Sequence, residues 1–163
     1  MDMIPFVDEN DIVLGHKNKA DILPTDITRA SGLWMTNARG EILLARRAYT
    51  KKNHPGCWGP AVAGTVEQDE EYETNILKEA EEELGLKNIT PRAVKKIFMS
   101  GSTGPHFTQW YRCETTLELC DLTLQTEEVA EVRWFTEDEF RDTLQDSPHE
   151  FVGNIQEWIG LFL

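Results

Sequence analysis

The sequence predicts a mixed α/β domain in which strands outnumber helices, and three observations carry that expectation. Short apolar runs separated by turns containing Gly, Pro or Asn recur along the chain. The interval Glu70 to Leu84 has Tyr72, Ile76, Leu77, Ala80 and Leu84 at spacings of three and four. Thr136 opens Thr-Glu-Asp-Glu, a reciprocal capping pattern for a second helix. The 163 residues suit one compact core, and no repeat, low-complexity tract or linker divides them, so 1–163 is read as a single domain.

Taken in order, Asp11 to Leu23 reads as two short strands, Ile12 to Leu14 and Ala20 to Leu23, joined by the polar turn His16 to Lys19. Strands follow at Ala30 to Met35 and Glu41 to Ala45, with Asn37-Ala38-Arg39-Gly40 as the hairpin turn between them. Tyr49 to Pro60 is an irregular loop, and Ala61-Val62-Ala63 is a short strand closed by Gly64. The helix over Glu70 to Leu84 stops at Gly85, where a left-handed residue is wanted. Ala93 to Met99 and Phe107 to Thr116 are strands flanking the turn Gly101 to Pro105, and Glu131 to Phe135 is another. A helix then runs from the Thr136 cap to about Leu144. The last segment carries a helical stripe of Phe151, Val152, Ile155, Trp158, Ile159 and Phe162 that packs back on the domain or leaves a homodimer open.

Composition excludes several classes. With 40% hydrophobic and 28% charged residues the chain is neither a disordered tail nor a fibre. A net charge of −13 repels phosphate backbones, which argues against nucleic-acid polymers and anionic membranes as partners. The cysteines Cys57, Cys113 and Cys120 are odd in number and lack CxxC spacing, so a reducing, cytoplasmic setting is expected. The start, Met1 to Asn10, has acids and a Pro where a signal peptide has bases and an apolar stretch, and no apolar run approaches a membrane span.

The charge is concentrated. From Glu67 to Glu83 there are nine acids and one Lys, a window that holds −8 of the −13. On a helix Glu79, Glu82 and Glu83 share one face at i, i+3 and i+4, where three like charges repel. A divalent cation removes the repulsion, and oxygen ligands of this kind suit Mg²⁺ or Mn²⁺ better than zinc or copper. Gly64, lacking a Cβ, lets the backbone approach the same ion.

The pattern from Gly64 to Leu86 resembles the signature of the Nudix hydrolases: Gly, five residues, Glu70, seven residues, then basic, Glu79, apolar, any, Glu82, Glu83, any, Gly85, apolar. One position departs, Lys78 standing where the family has Arg. Leu43 to Arg47, Pro55-Gly56-Cys57-Trp58 and Glu127 to Phe135 also look like landmarks of that family, so the resemblance covers most of the chain. It implies an α/β/α sandwich around a mixed β-sheet and Mg²⁺-dependent cleavage within the diphosphate of a small substrate, a nucleoside diphosphate joined to another group. Carried over by position, Glu82 and Glu83 are metal ligands, Glu79 a further ligand or the base for water, the Gly64 carbonyl another donor, and Glu70 with Lys78 an orienting pair. Lysine keeps the charge but loses the planar two-pronged donor of Arg.

Beyond the signature, Arg46, Arg47, Lys51 and Lys52 form a basic patch suited to the substrate's phosphates, with a solvated hairpin end as the plain alternative. Glu127 and Glu128 lie in a late loop where some family members place a base, and Trp110 and Tyr111 are core aromatics or a stacking platform for a ring. His16, His54, His106 and His149 lack paired spacing and read as surface residues. Val7 to Asp11, Gly15 and Thr28-Arg29-Ala30 look like the isopentenyl diphosphate isomerase branch. That branch's Cys-Gly-His is Ala63-Gly64-Thr65 here, its His is Thr28, and Pro105 to Arg112 holds no carboxylate. Alkene protonation needs a positioned acid. Hydrolysis is therefore the favoured reading, with an isomerase and a non-catalytic binding module as the alternatives.

Overall fold

The computed structural model describes residues 2–101 and 103–163. Its strands are β1 (Met3–Val7), β2 (Val13–Asn18), β3 (Thr28–Thr36), β4 (Ile42–Arg47), β5 (Trp58–Pro60), β6 (Val62–Thr65), β7 (Arg92–Met99), β8 (His106–Glu114) and β9 (Val129–Phe135). Its helices are α1 (Tyr72–Leu84), α2 (Glu137–Asp146) and the short α3 (Ile155–Trp158). No helix among the described residues is long and apolar enough to cross a membrane.

The mixed sheet is organised around β3, which runs parallel to β8 from Thr28–His106 to Thr36–Glu114, while the other pairings are antiparallel. Alternation along β3 and β4 splits the apolar side chains between two faces. Leu33, Met35, Leu43 and Ala45 pack under Ile76, Ala80 and Leu84 of α1. Trp34, Ile42 and Leu44 pack on the opposite face against Phe140 of α2, Phe151, and Ile155 and Trp158 of α3. Two cores sharing one sheet make the α/β/α sandwich that the resemblance implied.

The sheet also opens. β3 and β4 pair only at Met35–Leu43 and Thr36–Ile42. From there they diverge, β5 following β4 (Leu44–Pro60 to Arg46–Trp58) and β6 following β3 (Leu33–Val62 to Ala30–Thr65). The fully buried Ala61 links the two at the vertex. The result is a V-shaped split in the middle of the sheet, where side chains from several elements meet.

Two expectations are corrected at the N-terminus. The strand pair is β1 with β2, in register from Met3–Asn18 to Val7–Val13, and the turn between them is Asp8 to Ile12. Asp8 Oδ1 accepts from the amides of Asn10 (2.8 Å) and Ile12 (3.0 Å), an Asx turn that fixes the reversal there rather than at His16 to Lys19. The stretch read as a strand from Ala20 begins instead as a 3₁₀ turn, Lys19–Asp21, capped by the Asn18 side chain. Downstream, the single strand read at Ala61 to Ala63 is β6, which begins at Val62 and is preceded across Ala61 by the separate strand β5, and the C-terminal stripe folds as α3 followed by a 3₁₀ turn, Ile159–Leu161. The turn read over Gly101 to Pro105 includes Ser102, which, like Met1 of the start, lies outside the described residues.

Candidate active site

Helix α1 brings the acids to the split. Its C-terminus is closed by Gly85 in the left-handed region (φ 67°), whose amide bonds the Glu81 carbonyl at 2.9 Å while Leu86 N bonds Ala80 O at 3.1 Å. Its position on the sheet is set by Asn75, fully buried, which donates to Thr65 O at 3.0 Å and Glu70 Oε2 at 2.9 Å and accepts from Ser31 Oγ. One side chain thus ties α1 to β6, β3 and the preceding loop. Sequence reasoning missed it, although an Asn beside Ile76 on the core-facing side was a visible signal.

Glu79, Glu82 and Glu83 all line a cleft of about 830 Å³ that fills the split. The Glu79 carboxyl lies on the backbone of Gly64, where an added Cβ would fall 2.5 Å from Glu79 Cδ. Glu79 and Glu83 share a hydrogen bond between their carboxyls. Burial, then the like charges of Glu79 and Glu128, hold Glu83 well above the usual carboxylate range. Glu79 is raised as well, by burial against the pull of Lys78, with Glu82 adding to the rise. Glu82 is exposed at the same cleft.

Behind these acids Lys78 Nζ contacts Glu70 Oε1, reaches Glu67 Oε2 at 3.0 Å and stands 3.8 Å from Glu79 Oε1. Burial disfavours the ammonium, but Glu70 and Glu67 outweigh it and hold Lys78 charged. Glu70 in turn accepts from Glu67 N (2.9 Å), and these bonds overcome its burial to lower its pKa. Glu67 is a partner the spacing alone did not single out.

The cleft also carries basic residues. Arg46, Arg47, Lys51 and Lys52 line the same cleft as the acids. Their engagements differ. Arg46 lies over the Trp58 ring (4.6 Å to its centroid) and donates to Tyr49 Oη at 3.1 Å. Arg47 Nε holds the loop through Asn53 O at 2.8 Å. Lys51 pairs with Glu128 at 2.5 Å, and Lys52 is exposed. Glu128 therefore faces the cleft, and the late loop is anchored to α1 by Gln125 N donating to Glu83 O and Thr123 N to Leu84 O. Trp110 and Tyr111 are 3% and 5% exposed, so both are core residues, Trp110 also lining the cleft. His54 and His106 line it too, against the expectation of surface histidines.

A divalent cation is tested by these residues as they stand. Among the described residues no three His, Cys, Asp or Glu side chains already converge on one point as a metal site. The donors are nevertheless all oxygen, two of the acids are held in contact that positive charge relieves, and the cradle at Gly64 excludes a Cβ. That set fits a hard cation such as Mg²⁺ or Mn²⁺.

An α/β/α sandwich with a helix of carboxylates at a split in the sheet, in a cleft that also holds basic residues, is an arrangement suited to an enzyme site. A model of the NUDIX domain matches residues 26–154, and the chain belongs to the Nudix hydrolase family. An uncharacterised Nudix hydrolase of Pseudomonas aeruginosa is 31% identical over 134 residues, covering 82% of this chain and 78% of the relative. Isopentenyl-diphosphate Delta-isomerase of Escherichia coli is 31% identical over only 90 residues, 55% of this chain and half of the isomerase. Among solved structures, DR0079 from Deinococcus radiodurans superposes with a TM-score of 0.83 at 20% identity, covering 97% of each chain. The NUDIX domain of Shewanella oneidensis NrtR, complexed with ADP ribose, gives 0.63 at 17% identity, covering 86% of this chain and 88% of that one.

Proposed function

We propose that this protein is a Mg²⁺- or Mn²⁺-dependent hydrolase that cleaves the diphosphate linkage of a small substrate, a nucleoside diphosphate joined to another group. The observation that carries the reading is the meeting, in one cleft, of Gly64, Glu79, Glu82 and Glu83 with Arg46, Arg47, Lys51 and Lys52. Glu82 and Glu83 act as ligands, Glu79 as a ligand or as the base for the attacking water, and the Gly64 carbonyl as a further donor. An ion held there would neutralise charge on the phosphate oxygens and would make water in the cleft more acidic. The basic residues hold the diphosphate, water adds to one phosphorus, and the bridging P–O bond breaks to release two phosphate-bearing fragments. Glu67 and Glu70 grip Lys78 and keep α1 in place, a task in which a single ammonium replaces the family's planar guanidinium.

Hydrolysis is favoured over isomerisation by what lines the cleft from β8: His106, Thr108 and Trp110, with no carboxylate to protonate an alkene. ADP ribose on the NrtR domain supports the nucleoside diphosphate class. Three free thiols accord with a reducing cytoplasm. The test is a panel of nucleoside diphosphate conjugates and prenyl diphosphates incubated with protein and Mg²⁺ or Mn²⁺. Metal-dependent release of phosphate-bearing products from the conjugates is expected; none from any compound overturns the reading.

A further inference from the structure

The contact between Asn75 and Glu70 divides the Glu70 carboxylate between two kinds of donor. Lys78 Nζ meets Oε1, whereas Oε2 accepts from Asn75 Nδ2 and from Glu67 N, both at 2.9 Å. An ammonium is a point charge without fixed direction, and this one is shared with Glu67 at 3.0 Å. A carboxylate gripped on one oxygen still turns about its last bond; a donor on the second oxygen stops that rotation. An arginine at position 78 would meet both oxygens with its planar fork. Here the second prong comes from a neutral side chain three residues earlier on the same helix.

Asn75 is fully buried, and its carboxamide nitrogen has two N–H donors for two acceptors, Glu70 Oε2 and Thr65 O, while its oxygen accepts from Ser31 Oγ. It also precedes Glu79 by four residues, so the two share a face of α1. Asn75 bonds the carbonyl of Thr65, and Glu79 covers the backbone of Gly64, the residue before it. These are successive rungs between α1 and β6. Removing the first frees the second, at the point where Glu79 meets Glu83.

We propose that Asn75 is a positioning residue for the acids of α1: through Glu70 Oε2 and Thr65 O it completes the grip that Lys78 makes on Glu70 Oε1 alone. The inference rests on α1 being the helix that holds the cation. Full-chain variants Asn75→Ala and Asn75→Ser, each alone and combined with Lys78→Arg, test it. Serine keeps a hydroxyl for Ser31 but is one bond shorter than asparagine. Hydrolysis of the conjugate that the wild type cleaves fastest gives kcat and KM, calorimetry gives the affinity for Mn²⁺, and thermal melts establish folding. Each single variant is expected to lose about tenfold or more in kcat and in Mn²⁺ affinity, with KM within about threefold of the wild type. Adding Lys78→Arg, which supplies the missing prong, is expected to bring kcat and Mn²⁺ affinity back to within about threefold of the wild type. A side chain that only fills the core would not be rescued by a change at position 78. Folded single variants that keep kcat and Mn²⁺ affinity within about twofold, or double variants no better than the singles, overturn the assignment. Where a single variant does not fold, a folded double supports the assignment and an unfolded double overturns it. Failure of the wild type to hydrolyse any conjugate would count against the hydrolase reading alone, since loss and rescue are also read in Mn²⁺ affinity without turnover.

Discussion

The Glu79 carboxyl covers the Gly64 backbone so closely that a Cβ at position 64 would lie 2.5 Å from Glu79 Cδ. Strand β6 and helix α1 are in register at the point where the acids gather. Gly64→Ala must therefore push Glu79 aside. Overpacking of this kind costs about 1–3 kcal/mol of stability. A displacement near 1 Å at a catalytic centre lowers turnover by about a hundredfold. Urea denaturation and steady-state kinetics of the variant check both numbers.

Lys78 bridges Glu67 and Glu70 while 30% of its side chain remains exposed. Lys78→Ala leaves Glu70, 15% exposed, without its cation, and a loss of about 1–2 kcal/mol is expected after discounting for solvent screening. Lys78→Arg retains both contacts in forked form and should retain stability and activity. Thermal melts of the two variants beside their kcat values test this, and a Lys78→Ala protein as stable and active as the wild type would count against the orienting role.

Asp11 fastens the N-terminal hairpin to the sandwich. Its carboxylate, 5% exposed, accepts from Lys96 Nζ (2.6 Å), Arg29 Nε (2.7 Å) and Tyr72 Oη (2.9 Å), and its backbone sits at φ 61°. Burial raises its pKa, but the bonds from Lys96, Arg29 and Tyr72 outweigh it and the net shift is downward from 3.8. A depressed carboxylate contributes stability in full above its unfolded value, and the contribution is lost as pH falls through the folded value. The difference in stability between wild type and Asp11→Ala should be about 3–5 kcal/mol at neutral pH and shrink below pH about 4. Denaturation curves at a series of pH values measure it.

Lys51 and Lys52 are adjacent but differently placed. Lys51 is held by Glu128, whereas Lys52 is exposed. Lys52→Ala should leave the melting temperature unchanged and raise KM a few-fold, with the effect fading as salt is added. A KM insensitive to both the substitution and the salt would remove Lys52 from the phosphate site.

How much of this was legible in the sequence depended on how local the cause was. Helix α1, its Gly85 stop and the Thr136 cap of α2 are set by neighbours three or four residues away, and each was readable; Thr136 Oγ1 accepts from Glu139 N at 3.1 Å as the pattern requires. The faces of β3 and β4 followed from alternation. Strand β1 was missed because Pro5 and the flanking acids mask a strand whose reason to form is pairing with β2. The division into β5 and β6 escaped for a similar reason, since Trp58 to Thr65 changes partner from β4 to β3 at Ala61. In the site, the acids and basic residues stood out by type and spacing. Asn75 and Glu67 did not, because their roles exist only after α1 meets β6 and the loop before it.

The central claim is that carboxylates of α1 hold a cation that makes diphosphate cleavage possible. Mg²⁺-dependent hydrolysis of a nucleoside diphosphate conjugate, compared between wild type and Glu83→Gln, tests it most directly. Activity that is abolished by EDTA, restored by Mg²⁺ and lowered by about a hundredfold or more in Glu83→Gln is expected. Hydrolysis that persists in EDTA, or is unchanged in folded Glu83→Gln, would contradict it.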